Sequence, residues 1–158
     1  MRTRYCYLIT FVTILLDQIS KYLAVSHLEI GSPIPIIDGL VYFSLTYNPG
    51  GAFGLLPGWT QTFAVVAVIV IIAILLMVRR SSHMPVFLVV SLGLEFGGGV
   101  GNLLDRIRFG YVVDFIDLQG WPVFNIADVA ITVGFFLLVY HLLVYDRVSH
   151  FRSGSTHE

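Results

Sequence analysis

Four long apolar segments constrain this chain more than any other feature of its sequence. They cover residues 5–25, 59–78, 85–102 and 124–145. A helix needs about 20 mostly apolar residues to cross the hydrocarbon core of a bilayer. Charged residues make up only 12% of the chain, whereas soluble domains contain about 25%. The sequence therefore predicts an all-α membrane protein with four transmembrane helices, forming a single membrane domain over residues 1–146.

Basic residues predict how these helices are oriented, because cytoplasmic loops of membrane proteins are enriched in Lys and Arg. Arginines precede the first segment, separate the second from the third, and follow the fourth: Arg2, Arg4, Arg79, Arg80, Arg147 and Arg152. With four crossings these groups fall on one side of the membrane. We therefore expect both termini in the cytoplasm, including a polar tail over residues 147–158. Arg106 and Arg108 lie on the outer side against this rule, although aspartates accompany them.

Charged residues inside the apolar segments lie toward the outer side of the membrane. An ionised side chain at the bilayer centre costs at least ~2.5 kcal/mol, so such residues indicate a functional site. Asp17 is roughly 18 Å and Lys21 roughly 24 Å along the first span, and Asp128 is about one turn into the fourth. The small-residue motif that could be a signal-peptide cleavage site comes after Asp17 and Lys21. In a signal peptide the cleavage site normally follows the apolar stretch without charges, so we expect an uncleaved span. Asp17 and Lys21 are four residues apart, and an ion pair is the structural alternative to catalysis. For Glu95, past the middle of the third span, we expect only a hydrogen bond to a neighbouring helix.

The segments between the spans predict structure on the outer surface. Residues 40–47 are rich in β-branched and aromatic residues, and turn sequences flank them at 38–39 and 48–51. This pattern predicts a small extracytoplasmic β-sheet between spans one and two, within residues 27–58. Residues 103–123 are expected to form an outer loop. The glycine-rich run at 97–101 predicts close helix packing, as small residues allow in membranes.

Two aspartates, Asp114 and Asp128, are predicted at one depth beside amide and guanidinium groups. Carboxylates held close together share one proton. The ionised member can take a proton from water while the protonated member donates to a scissile carbonyl oxygen, which is the aspartic protease pattern. Each residue also has a plain structural alternative: Asp128 as a charge that complements a helix dipole, and Asp114 as an ordinary loop residue.

Other functions compete with this hypothesis. A channel or transporter would need polar groups through the full membrane depth, which the inner halves of the spans lack apart from His141. A non-enzymatic assembly or chaperone protein would use the outer sheet to bind partners. An intramembrane metalloprotease is disfavoured because the five histidines follow no metal-binding pattern. We expect no cofactor or metal, and the net charge of −1 gives no basic surface for nucleic acid.

Five short blocks carry a resemblance to a known family. They are Asp-Gln-Ile-Ser-Lys at 17–21, Asn-Pro-Gly-Gly-Ala-Phe at 48–53, Gly-Asn-Leu-Leu-Asp-Arg at 101–106, Val-Val-Asp-Phe at 112–115 and Phe-Asn-Ile-Ala-Asp at 124–128. With these blocks in order between four spans, the chain resembles bacterial lipoprotein signal peptidase (signal peptidase II) over residues 8 to about 145. The resemblance implies an aspartic endopeptidase of the bacterial inner membrane, with its active site near the outer leaflet. Its implied substrate is a diacylglyceryl-modified prolipoprotein, cut just before the lipidated cysteine.

The same resemblance implies roles for individual residues. Asp114 and Asp128 match the catalytic aspartates. The positions implied to contact substrate are Asn48, Gly50, Gly101, Asn102, Arg106, Asn125 and Ala127, and those implied to support the fold or the site are Asp17, Lys21 and Asp105. Binding of the cyclic peptide antibiotic globomycin is also implied. The chain departs from the family pattern at Gly51, where alanine is expected, and at Glu95, in a stretch that is usually apolar. We expect a monomer in contact with membrane lipid.

Overall fold

The computed structural model describes residues 3–50, 60–80 and 84–145. Its elements are helix α1 (Thr3–His27), strands β1 (Ile34–Ile37) and β2 (Val41–Asn48), helices α2 (Thr60–Arg80) and α3 (Val86–Phe109), strand β3 (Val112–Leu118), and helix α4 (Ile126–Tyr140), which a π-helical turn extends over His141–Tyr145. All four helices are long and apolar enough to cross a membrane. The predicted fold class is confirmed. Residues 51–58 of the segment between α1 and α2, including Gly51, and the tail at 147–158 lie outside the described residues.

Helix α3 is longer than the sequence predicted. Its predicted bounds were 85–102, but the helix continues to Phe109 and ends at Gly110, which has a left-handed φ of 78°. The Gly110 N–H donates to Arg106 O at 3.0 Å, and glycine is favoured in such a C-terminal cap because it has no Cβ to strain. Apolarity ends near Asn102 because the last two turns carry polar side chains. The prediction of a plain outer loop over 103–123 is therefore wrong for the end of α3 and for β3.

The sheet has three antiparallel strands in the order β1-β2-β3. The first two lie between α1 and α2, as predicted, but β3 comes from the segment after α3. In the β2–β3 register Thr46 is opposite Asp114, and Asn48 is opposite Val112. Residues two apart on a strand share one face of the sheet. This register therefore brings Asn48 and Asp114 to the same face, although 66 residues separate them along the chain.

Helix α3 packs against each of the other three helices. Its glycines allow this, as the sequence predicted for residues 97–101. A Cβ atom on Gly98 would lie 2.5 Å from Ala127 O of α4, and one on Gly97 would lie 2.9 Å from Thr10 O of α1. The close approach of α4 to α3 at Gly98 carries the first turn of α4 against the end of α3, where the polar residues of both helices meet.

Candidate active site

Lys21 lies at the centre of a buried ionic cluster between α1 and α3. Its Nζ is 2.9 Å from Asp17 Oδ2 and 2.9 Å from Asp105 Oδ2, and it donates to Asn102 Oδ1 at 2.9 Å. An ammonium group has three protons, so each has an acceptor here. The predicted pair between Asp17 and Lys21 is present, but the second carboxylate, from Asp105, was not predicted as its partner. A buried ion pair needs such complete hydrogen bonding to offset the cost of removing its charges from water.

The carboxylates of this cluster also bind backbone from two other elements. Asp17 Oδ1 accepts from the Ala127 N–H of α4 at 3.0 Å. Asp105 Oδ2 accepts from the Val113 N–H of β3 at 3.1 Å. The Gln18 side chain donates to both carboxylates at 3.1 Å. The cluster therefore holds the start of α4 and the start of β3 against α1 and α3. Gln18 was not singled out from the sequence, although it lies inside the block at 17–21.

Asn102 connects the ionic cluster to Asp128. Its Oδ1 accepts from Lys21 and from Asn125 Nδ2, the latter at 3.1 Å. Its Nδ2 donates to Asp128 Oδ1 at 2.8 Å. An ammonium group can only donate, so the contact with Lys21 determines which end of the Asn102 amide is the oxygen. The amide nitrogen must then point at Asp128.

Asp128 begins helix α4 together with Asn125. Asn125 Oδ1 accepts from the Asp128 N–H at 3.0 Å, and Asp128 Oδ2 accepts from the Asn125 N–H at 3.2 Å. This reciprocal pair is a capping box, which satisfies two N–H groups that a helix start otherwise leaves free. Asp128 therefore has the role expected of it at the start of a helix. Its half-buried carboxylate also lines the cavity described below.

Asp114 lies on β3 and is only 2% exposed. Its Oδ1 accepts from Asn125 Nδ2 at 2.6 Å, and its Oδ2 accepts from Asn48 Nδ2 at 2.9 Å. Burial, followed by the nearby charge of Asp128, raises the pKa of Asp114 to about 6, although the two amide hydrogen bonds and Lys21 act in the opposite direction. This carboxyl therefore binds a proton more readily than an ordinary aspartate.

Asp114 and Asp128 open into one cavity of about 490 Å³. Asn48, Asn102 and Arg106 line it beside the two aspartates, and residues 121–124 close one side. The α2 part of the remaining wall is apolar, at Phe63, Val66, Ala67, Val70 and Ile71, and residues of α3, β3 and α4 form the rest. A second hollow, of about 520 Å³, extends from Asp114 along the end of β2. Two carboxylates between an apolar cleft and a strand can act on an extended chain that is apolar on one side. The described residues contain no group of three or more His, Cys, Asp or Glu that could hold a metal ion.

Four other residues implied to contact substrate are not among those that line this cavity. Asn125 and Ala127 are fully buried. A side chain on Gly101 would overlap with Asp17 Oδ2. The Gly50 N–H donates to Asn48 Oδ1 at 3.0 Å, which orients the Asn48 amide toward Asp114. Direct contact of these four residues with a peptide stays a prediction.

Two residues of the cavity wall, Phe63 and Trp121, were not singled out from the sequence, and for a third, Glu95, only a hydrogen bond to a neighbouring helix was expected. The Phe63 ring lies with its centroid 5.8 Å from the Arg106 guanidinium carbon, and no sequence signal separates it from the other apolar residues of its span. Trp121 lies at the cavity edge, where its enrichment at membrane interfaces was a usable signal. Glu95 also lines the cavity, and its Oε1 has no hydrogen-bond partner in the described part of the chain. The expected hydrogen bond to a neighbouring helix is thus not made by this oxygen.

Comparison with known proteins agrees with the resemblance. Residues 9–144 match the model of the family described as signal peptidase (SPase) II. The lipoprotein signal peptidase of Moorella thermoacetica is 44% identical, over 87% of this chain and 91% of that protein. The one from Halothermothrix orenii is 41% identical, over 90% and 97%.

Two solved structures of bacterial membrane enzymes have the same fold. One, at 2.3 Å resolution, aligns with a TM-score of 0.82 and 32% identity over 87% of each chain. Another, at 1.9 Å, aligns with a TM-score of 0.80 and 32% identity over 88% of this chain and 92% of that one. The chain belongs to the signal peptidase II family.

Proposed function

We propose that this protein is a membrane endopeptidase that removes signal peptides from diacylglyceryl-modified prolipoproteins, with Asp114 and Asp128 as its catalytic pair. Family membership supports the peptidase activity and the prolipoprotein substrate. The aspartic mechanism rests on one observation above all: Asn125 is hydrogen-bonded to both aspartates, and both line the same cavity. Asn125 thus holds one carboxyl group with its side-chain amide and the other with its backbone N–H, and this arrangement is compatible with shared-proton chemistry.

The two aspartates have different environments, which suggests different roles. Asp114 is the more buried, and it holds the shared proton. Asp128 lies at the N-terminus of α4, where the helix dipole favours a negative charge, and it is the base. Asp128 takes a proton from water as the water oxygen bonds to the scissile carbonyl carbon, and Asp114 donates its proton to the carbonyl oxygen.

Collapse of the tetrahedral intermediate completes the reaction. The carbon–nitrogen bond breaks, and the departing amine takes the proton that Asp128 received. The second hydroxyl of the intermediate returns a proton to Asp114 as the new carboxyl group forms. The pair ends as it began, so no covalent intermediate and no cofactor is required.

The surrounding residues have positioning roles in this mechanism. Lys21 orients Asn102, and Asn102 donates to Asp128. Asp17 and Asp105 hold Lys21 in place. Arg106 lies at the cavity with its guanidinium group near both aspartates. It donates to Asn102 O at 3.3 Å, and its other N–H groups provide donors for the carbonyl oxygens of a bound peptide.

The proposal also includes the orientation of the protein in the membrane. Both termini lie in the cytoplasm, the protein spans the bacterial inner membrane, and the aspartates lie near the outer leaflet. The sheet supports this, because it presents exposed apolar side chains suited to a membrane interface: Ile34, Ile36, Ile37, Leu40 and Phe43. A lipid-anchored substrate diffuses along that leaflet and reaches the cavity from the side. Because one chain forms the whole site, we expect a monomer, and we expect globomycin to compete with substrate for the cavity.

The test is cleavage of a diacylglyceryl-modified prolipoprotein by purified protein in the presence of EDTA. We compare wild type with Asp128→Asn, and with Asp117→Asn as a matched control on β3 outside the aspartate–asparagine network. Wild type and the control should cut before the lipidated cysteine, and folded Asp128→Asn should be slower by about 10³-fold or more. Cleavage by Asp128→Asn at the wild-type rate, or a requirement for metal, would contradict the aspartic mechanism and reopen the transporter and binding-protein hypotheses.

A further inference from the structure

The cavity continues along α3 away from the catalytic pair. Glu95, Gly99, Asn102 and Arg106 all line it. Their spacings of four, three and four residues put them on one face of the helix. Glu95 lies seven residues before Asn102, which is about 10 Å at the helical rise of 1.5 Å per residue. Because Asn102 is hydrogen-bonded to Asp128, Glu95 marks the end of the cavity farthest from the reaction.

The wall around Glu95 is apolar with one other polar side chain, Thr132 of α4. Val70 and Ile71 of α2 and Ile131 of α4 complete it. Glu95 Oε1 is buried and has no hydrogen-bond partner among residues 3–50, 60–80 and 84–145. A buried acceptor without a partner costs free energy that a suitable donor would recover.

The side chain of Glu95 is held in this position by packing. A Cβ atom on Gly134 of α4 would lie only 2.8 Å from Glu95 Cγ, so the carboxyl-bearing chain rests directly on that glycine. Packing against Gly134 therefore fixes the position of the Glu95 side chain in the cavity. An acceptor held in an apolar cavity is a recognition element for a ligand that brings a donor.

We infer that Glu95 is a specificity-determining residue, whose carboxyl group accepts a hydrogen bond from a hydroxyl side chain in the signal peptide. The inference rests on the proposed function. Of the two parts of the substrate that enter the membrane, the diacylglyceryl group has ester oxygens, which accept hydrogen bonds but cannot donate them. The peptide can donate through serine or threonine. The peptide is therefore the part that matches an unpartnered acceptor.

The distance from Asp128 predicts which peptide residue is recognised. A span of about 10 Å corresponds to about three residues of extended chain at ~3.3 Å each, or to about seven residues of helix at ~1.5 Å each. The recognised side chain therefore belongs to the third to seventh residue before the cleaved bond.

The experiment compares lipidated substrates that carry Thr or Val at one of these five positions, with the rest of the peptide unchanged. Thr and Val have the same shape and differ by the hydroxyl group. Wild type should prefer Thr by about tenfold in kcat/KM at one or more positions, the effect of one hydrogen bond to a buried acceptor. Glu95→Gln keeps an acceptor of the same shape and should keep the preference. Glu95→Leu should reduce the Thr-to-Val ratio to one or below.

A reference substrate with only apolar residues at these positions separates this inference from the proposed function. If wild type cuts the reference but shows no preference for Thr, or if Glu95→Leu keeps the preference, the inference is wrong and the proposed function stands. If Glu95→Leu slows every substrate equally, Glu95 acts on the fold or on the lipid, and the inference is again wrong. If wild type cuts none of the substrates, the proposed function itself fails, and the inference with it.

Discussion

The burial of Asp114 makes the stability of the protein depend on pH. Burial, and then the charge of Asp128, raises the pKa of Asp114 from its ordinary 3.8 to about 6. Because folding raises this pKa, the folded chain binds more protons than the unfolded chain at pH values between these two numbers. The contribution of Asp114 to the free energy of unfolding is therefore greatest below about pH 4 and is lost as the pH rises through about 6.

The magnitude follows from the size of the shift. A change from 3.8 to about 6 corresponds to about 3 kcal/mol, at ~1.4 kcal/mol for each pKa unit. Asp114→Asn removes the titrating group. Its amide cannot accept hydrogen bonds from both Asn48 and Asn125, so the variant also loses about 1 kcal/mol at every pH. The free energy of unfolding of the variant, relative to wild type, should thus rise by up to about 3 kcal/mol between pH 4 and pH 8.

The assay is denaturant unfolding of both proteins in the same detergent micelles, at pH steps from 4 to 8. Comparing the two proteins at each pH cancels the contributions of all other titrating groups that the substitution leaves unchanged. If the two stability curves run parallel across this range, Asp114 is not stabilised in its protonated form. The assignment of the shared proton to Asp114 would then be refuted, whatever the activity of the variant.

Two further predictions concern the framework of the site. Lys21→Met removes the cation from two buried carboxylates, so we expect a loss of about 3–5 kcal/mol in the free energy of unfolding; an unchanged melting temperature in detergent would show that the cluster is not a stabilising one. Gly98→Ala places a Cβ atom 2.5 Å from Ala127 O, whereas in the control Gly99→Ala the nearest atoms are Ile71 Cγ1 at 3.6 Å and Ile71 Cδ1 at 3.8 Å, which is ordinary contact. Gly98→Ala should therefore displace the start of α4 and lower the melting temperature, and an equal loss of thermal stability in the two variants would contradict the packing argument.

Much of the fold was predictable because membrane insertion depends on properties that are local in the sequence. Apolarity over about 20 residues identifies a span, and all four spans were found this way. The predicted end of the third helix was wrong because the helix continues beyond its apolar residues. The last two turns of α3 carry Asp105, Arg106 and Arg108, and Asp105 is buried against Lys21 rather than facing lipid, so the helix extends beyond its apolar stretch.

The candidate site was predictable in its residue types but not in its contacts. Asp114, Asp128 and the asparagines were identified from short motifs, and the pair between Asp17 and Lys21 followed from helical spacing. The orientation of Asn102 was not predictable, because it depends on a lysine 81 residues away. The same holds for Glu95: its place in a cavity depends on how α2 and α4 flank α3.

By itself, then, the sequence determined the number of membrane helices, one strand-forming segment at residues 40–47 and the polar residues available for chemistry, since each of these depends on neighbours within one turn or a few residues. Only the tertiary structure decided that β3 joins the sheet beside β2, that Asp105 shares Lys21 with Asp17, and that Asn125 contacts both aspartates. The physical reason is that hydrogen bonds and ion pairs require atoms within about 3 Å. Periodicity along a chain does not specify such distances between residues that lie far apart in the sequence.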